Sequence, residues 1–195
     1  MEASKKSSAP PTNYAEYLQT GEGERWEIIG GVPYNMTPAP STEHQRIVGR
    51  LHTEFSVYLR GKKCESFVAP FDVRLFGDGK TDHEIENVVQ PDLVIVCDPT
   101  KLDDRGCNGT PDLVVEVLSP ATARKDRNQK LKLYRKAGVK EYWIVDPFHK
   151  TVEVYQFERN VFAEPETYGE HERVKVGIFE DLEINLEDIF GVSGI

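Results

Sequence analysis

The chain has 195 residues, of which 38% are hydrophobic and 29% charged, a balance that suits one soluble domain with a sizeable core. No apolar run approaches the roughly 18–20 residues that span a membrane, and residues 1–11, rich in Ser, Lys and Pro, read as a disordered lead-in rather than a secretory signal. A net charge of −9 argues against loose binding to nucleic acid, and three cysteines (Cys64, Cys97, Cys107) without a C-x-x-C spacing argue against a disulfide framework or structural zinc and for a reducing cytoplasm.

In chain order, residues 12–20 predict a short helix carrying Tyr14, Tyr17 and Leu18. Residues 25–36 predict a hairpin turning at Gly30-Gly31. A Pro-rich loop at 37–41 leads into an amphipathic helix. Its start is read from Thr42 and Gln45, which have capping-box spacing, and its buried stripe from Ile47, Val48, Leu51, Phe55 and Tyr58. His44 lies at the top of that stripe, and the helix stops near Gly61. Residues 66–76 predict a strand, 77–87 a polar loop, 88–97 an apolar strand interrupted by Pro91-Asp92, and 98–109 another loop. Residues 111–118 form the most apolar strand, ended by Ser119-Pro120.

Residues 124–137 predict a helix closed by Gly138. The stretch 124–140 carries eight basic residues against Asp126 alone, so it is +7 while the rest of the chain is −16. Such a run is either a solvated helix face or a local phosphate-binding surface. Arg60, Lys62 and Lys63 form a second, smaller basic cluster. A strand at 141–146 completes a βαβ unit, which requires the two strands to be parallel. Residues 151–157 alternate as an antiparallel addition, and 174–189 read as peripheral strands and a terminal turn. The expected fold is α/β, a mixed sheet with helices packed on it.

Glu116 stands among Leu113, Val114, Val115, Val117 and Leu118, in a strand apolar enough to be covered on both faces. Burying an unpaired carboxylate costs several kcal/mol, so Glu116 must be protonated, paired with a cation or bound to a metal. Asp112 lies four residues away on the same strand, roughly 13 Å. Metal–oxygen bonds are only about 2.0–2.6 Å, so Asp112 is a strand-entry residue and not a co-ligand. Asp92, on the preceding strand, can sit across from Glu116 at about 5 Å between Cα atoms if the strands are neighbours. Turn chemistry after Pro91 is its alternative. Lys130, four residues before Tyr134, borders the buried face of the next helix, although a snorkelling surface lysine is the commoner fate. Glu27, in the hairpin, and His44 are weak signals alone. An exposed glutamate and a satisfied core histidine are the ordinary readings.

Pro91-Asp92, Glu116 between hydrophobics and Lys130 together resemble the PD-(D/E)XK nuclease superfamily. The chain looks closer still to the Uma-two family of restriction-endonuclease-like proteins. The resemblance rests on Glu27 to Gly31, on Pro38 to Ser41 followed by His44, and on Val89 to Leu93. It continues through Pro111 to Pro120, the helix with Asp126 and Lys130, and Glu141 to Pro147. It spans about residues 12–190, and the run at 111–120 is its most specific piece.

The resemblance implies a single restriction-endonuclease-like domain over residues 12–195, a central mixed β-sheet flanked by helices, with the site at one sheet edge. It implies that Asp92 and Glu116 hold Mg²⁺ or Mn²⁺, which activates water for hydrolysis of DNA phosphodiester bonds. Many nucleases of this fold act as homodimers. The superfamily's lysine normally follows two residues after the acidic residue, where this chain has Leu118. The implied lysine is Lys130, with Lys132 as the fallback, and Glu27 and His44 are implied accessory residues. The +7 segment fits contacts to backbone phosphates. The expected function is a metal-dependent DNA endonuclease. A non-catalytic nuclease-like scaffold that binds nucleic acid or a protein is the alternative, and a hydrolase of small phosphates is a weaker third reading.

Overall fold

The computed structural model describes residues 9–21, 23–36, 40–157 and 164–191. A short helix, α1 (Tyr14–Tyr17), precedes the hairpin of β1 (Trp26–Ile29) and β2 (Val32–Asn35) and the long helix α2 (Thr42–Leu59). Next come β3 (Glu65–Val68), β4 (Val73–Arg74), β5 (Val88–Val89), β6 (Leu93–Val96), β7 (Leu102–Asp103), β8 (Gly106–Asn108) and β9 (Leu113–Val117). One continuous helix follows: a first turn α3 (Ala123–Lys125), a π-helical turn (Asp126–Lys130) and α4 (Leu131–Ala137). The chain then runs through β10 (Glu141–Asp146), β11 (Thr151–Gln156), β12 (Glu166–Gly169), β13 (Arg173–Lys175), β14 (Glu183–Asn185) and α5 (Leu186–Phe190). No helix among the described residues is long and apolar enough to cross a membrane.

The most apolar stretches become the middle of the main sheet, whose order is β12-β11-β10-β9-β6-β3. β9 and β10 are parallel, as the βαβ reading requires, and the other pairings are antiparallel. Alternation along β9 separates two cores. Leu113, Val115 and Val117 pack with Ile47, Leu51 and Phe55 of α2. Val114 and Leu118 pack with Leu133 and Tyr134 of α4. Each such fully buried aliphatic side chain contributes about 1.5–3 kcal/mol. Glu116 falls on the α4 face by the same alternation. A second sheet, β2-β1-β5-β4-β8-β7, joins the first where β5 runs through Gln90-Pro91-Asp92 into β6.

The hairpin turn at Gly30-Gly31 is as expected, as is the helix end at Gly138, whose left-handed backbone (φ 84°) suits glycine. Four local expectations are corrected. The N-cap of α2 is Ser41, whose side chain accepts from the His44 N–H, so Thr42 is already helical and Thr42–Gln45 is not the capping pair. Residues 66–76 are not one strand: β3 belongs to the main sheet and β4 to the second, with Ala69-Pro70 between them. Residues 98–109, expected as loop, contain β7 and β8, paired with one another. Cys64 and Cys97 form a disulfide, against the expectation from their spacing. The antiparallel register of β3 and β6 opposes Glu65 to Val96, and one step further it opposes the two cysteines. Cys107 is free and buried. Most of the expected lead-in (1–8) and part of the Pro-rich loop (37–39) lie outside the described residues.

Candidate active site

Glu116 is buried and its Oε1 accepts two hydrogen bonds, from Lys130 Nζ at 2.7 Å and from the Tyr134 hydroxyl at 2.7 Å. Lys130 is 2% exposed, which decides between its two readings: it is a buried ion-pair partner and not a snorkelling lysine. It sits in the π-helical turn, a device that widens one helical turn and recurs at functional sites. Nζ also lies 2.7 Å from Glu27 Oε1 and 3.7 Å from Asp126 Oδ1.

Glu27 is buried because β1 is covered on both faces. Ile28 packs with Tyr14, Ile85 and Val88, so Glu27 turns the other way, toward the 123–137 helix. There Oε2 takes Lys125 Nζ at 2.5 Å and Oε1 also accepts the backbone N–H of Gln90 at 3.1 Å.

Asp92 completes the group through strand register. Leu93 opposes Val115, so the next step opposes Asp92 to Glu116, as the sequence suggested. Asp92 Oδ2 accepts the Val117 N–H at 2.7 Å and lies 3.2 Å from His44 Nε2. His44 reaches it from the first turn of α2. Asp112 plays the part expected of it at the strand entry: its carboxylate binds the Cys97 N–H and Lys140 Nζ. Lys132 is exposed and takes no part.

The charges do not balance evenly. Burial pushes the Glu116 carboxyl well above the ordinary carboxylate range, opposed by Lys130 and reinforced by Asp126, Asp92 and Glu27. Burial raises Asp126 as well. Burial acts on Glu27 in the same direction, but Lys130 and Lys125 together outweigh it and hold Glu27 below its ordinary value. Burial works against the charge of Lys130, yet Glu116, Glu27 and Asp126 prevail and it stays protonated. In His44, burial is outweighed by the Asp92 carboxylate, which raises the imidazole above its ordinary value. The physical picture is two ammonium groups satisfying Glu27, and a Glu116 carboxyl, raised by burial, held by Lys130 and Tyr134.

The structure therefore gathers all five predicted residues into one neighbourhood, as Glu27–Lys130–Glu116 and His44–Asp92, with Asp92 and Glu116 on adjacent strands. It lies at the C-terminal end of β9, which has strands on both sides, and not at a sheet edge. Sequence reasoning missed three participants. Tyr134 was read only as a core residue. Lys125 stood unmarked among eight basic positions. Asp126, buried with Oδ1 lacking a hydrogen-bond partner, was noted only as part of a motif. Its i, i+4 spacing to Lys130 was the one available signal.

Asp92, Glu116 and Lys130 line a cleft of about 1340 Å³ together with His44, Arg124 and Lys125. Among the described residues, no group of three or more His, Cys, Asp or Glu side chains is arranged to hold a metal ion. Asp92 Oδ1 and Glu116 Oε2 carry no hydrogen bond among the described residues. Two such hard oxygens fit Mg²⁺ or Mn²⁺, ions held by one or two carboxylates with water and substrate phosphate completing the shell.

A mixed sheet flanked by helices, with these carboxylates and a lysine at the end of its central strand, defines a restriction-endonuclease-like core. Residues 12–187 match the Uma2 family, described as "Putative restriction endonuclease", and the chain belongs to that family. It is 33% identical over 147 residues to the Synechocystis protein sll1609, covering 73% of this chain and 78% of the relative. It is 31% identical over 149 residues to slr1290 of the same organism, covering 75% and 74%. The crystal structure of "a putative nuclease belonging to DUF820" from Anabaena variabilis has the same fold, with a TM-score of 0.73 at 20% identity over 92% of this chain and 98% of that one.

Proposed function

We propose that this chain is a metal-dependent DNA endonuclease that hydrolyses phosphodiester bonds. The observation that carries the reading is Glu116, a buried carboxylate opposed in register by Asp92, bonded to Lys130 and lining an open cleft. Asp92 and Glu116 are the residues that would hold Mg²⁺ or Mn²⁺, which when bound supplies an activated water and offsets phosphate charge. His44 fixes the rotamer of Asp92 through Oδ2, leaving Oδ1 free. Lys130 keeps its proton at Nζ, so it neutralises charge beside the phosphate and does not act as the base. Glu27 positions Lys130 and Lys125. The basic wall of the 123–137 helix supplies phosphate contacts.

The test is nicking and linearisation of supercoiled plasmid with Mg²⁺ or Mn²⁺. Cleavage by the wild-type chain and none by Glu116→Ala is expected, and equal cleavage by both refutes the proposal. Two observations favour a second reading, a nuclease-like scaffold that binds nucleic acid or a protein without cutting. Lys130 already holds Glu116 at 2.7 Å, and the described residues contain no cluster of three metal-ligating side chains. Metal-independent affinity with no product in the same assay would select it.

A further inference from the structure

We propose that the cleft takes nucleic acid that is single-stranded at the site, and that Phe148 holds it by stacking on an unpaired base. This inference rests on the nuclease reading and names its substrate class.

Phe148 is 87% exposed, the most exposed of the large hydrophobic side chains among the described residues. One exposed apolar residue is ordinary on any surface, so its placement has to carry the argument. Phe148 lines the same cleft as Asp92 and Glu116. It is also presented by a braced turn. Asp146 Oδ1 accepts the N–H groups of Phe148 at 2.9 Å and His149 at 3.1 Å, and Oδ2 lies 2.9 Å from His149 Nδ1. The His149 ring stands nearly perpendicular to that of Phe148, with centroids 4.9 Å apart. The backbone that presents the phenyl ring is thus braced before any ligand arrives, which lowers the entropic penalty of binding.

The cleft is also lined by exposed Arg124, Asn128 and Gln129 and by half-buried Lys125, whose ammonium is paired with Glu27. A cationic wall that follows the backbone, combined with an aromatic platform for the bases, is the combination that binds single strands without sequence preference. In a duplex the base faces are already stacked on one another, so a lone ring at the rim gains nothing from an unbroken helix.

The test measures fluorescence anisotropy of a labelled mixed-sequence oligonucleotide, single-stranded and annealed, in EDTA so that no cleavage intervenes. Wild type, Phe148→Ala and Phe148→Trp are compared, and an exposed side chain makes misfolding of either variant easy to exclude by circular dichroism. Phe148→Ala is expected to weaken single-strand binding about ten-fold, the scale of one base stack, with duplex affinity within about two-fold of wild type. Phe148→Trp is expected to retain single-strand affinity, with its emission quenched by the single strand and not by the duplex. Equal losses on both forms, or no loss on either while wild type binds, overturn the stacking role and leave the nuclease reading standing. Failure of wild type to bind either form overturns the single-strand proposal, and the plasmid assay with Mg²⁺ decides the nuclease reading separately.

Discussion

Replacing Lys130 with Met tests the electrostatic account of the site most directly. The ammonium lies 2.7 Å from both Glu116 and Glu27, and its removal leaves three buried carboxyl groups sharing Lys125 alone. Breaking a buried pair by removing one partner costs about 3–5 kcal/mol. Tyr134 still donates to Glu116 once the lysine is gone, so the low end, about 3 kcal/mol, is expected near neutral pH. The deficit has a definite pH window. Glu27 is held below its ordinary 4.5, so its contribution is present above 4.5 and lost as pH falls through the depressed value. Lys130 is held above its ordinary 10.5, so its contribution is present below 10.5 and lost as pH rises through the raised value. Wild type and variant should therefore differ most between those limits and converge on the acid side. Urea denaturation at a series of pH values, with the disulfide intact, measures this. Lys132→Met, at an exposed position, is the control and should stay within about 0.5 kcal/mol of wild type. A Lys130→Met deficit below about 1 kcal/mol at neutral pH, or one that does not shrink in acid, would refute the account.

Glu116→Gln should abolish cleavage while changing stability by no more than about 1 kcal/mol, because burial opposes a charge there; a large loss in urea melts would contradict that effect of burial. Tyr134→Phe, which removes the second donor to Glu116, should destabilise by about 1 kcal/mol in the same melts, and no change would mean that the hydroxyl contributes nothing. The His44 ring should titrate above 6.5 by NMR and move down in Asp92→Asn; a value unmoved by that substitution would break the assigned pair. Thiol titration of the unreduced protein should find no reactive thiol when folded, since Cys107 is buried and pushed up to about 11, and one thiol in denaturant. Two more should appear after reduction, and three without reductant would disprove the bridge.

The heart of the site was legible because local pattern fixes it. A carboxylate inside a run of β-formers has few outcomes, and a βαβ unit brings the next helix over its own strand, which is how Glu116 led to Lys130. Asp92 follows once the two strands are taken as neighbours, since opposed residues share a face. What could not be read depends on pairings distant in sequence. Glu27 is indistinguishable from an exposed hairpin glutamate until the 123–137 helix lies over β1, 98 residues from Lys125. The cysteine pair needs the register of β3 on β6, and the prediction of a single strand at 66–76 had erased the boundary that sets it. Lys125 and Asp126 were obscured for a different reason. α-Helical periodicity does not forecast a π-helical turn, so the residues that turn inward there were counted with the solvent-facing charges.

The short passage Gln90-Pro91-Asp92 belongs to both sheets at once. Its first residue binds the second sheet through its backbone, to Glu27, and through its side chain, to Arg25, Tyr17 and Asp72. Its last residue belongs to the first sheet, fastened to Val117 and His44. The site is therefore a seam. Asp92 and Glu116 meet within the first layer, and Glu27 joins them only where the second layer docks with that tripeptide threaded between the two. The full cluster is then a property of the closed joint. A chain that has formed its central strands but not its N-terminal hairpin carries Asp92 and Glu116 without the carboxylate that aligns the lysines.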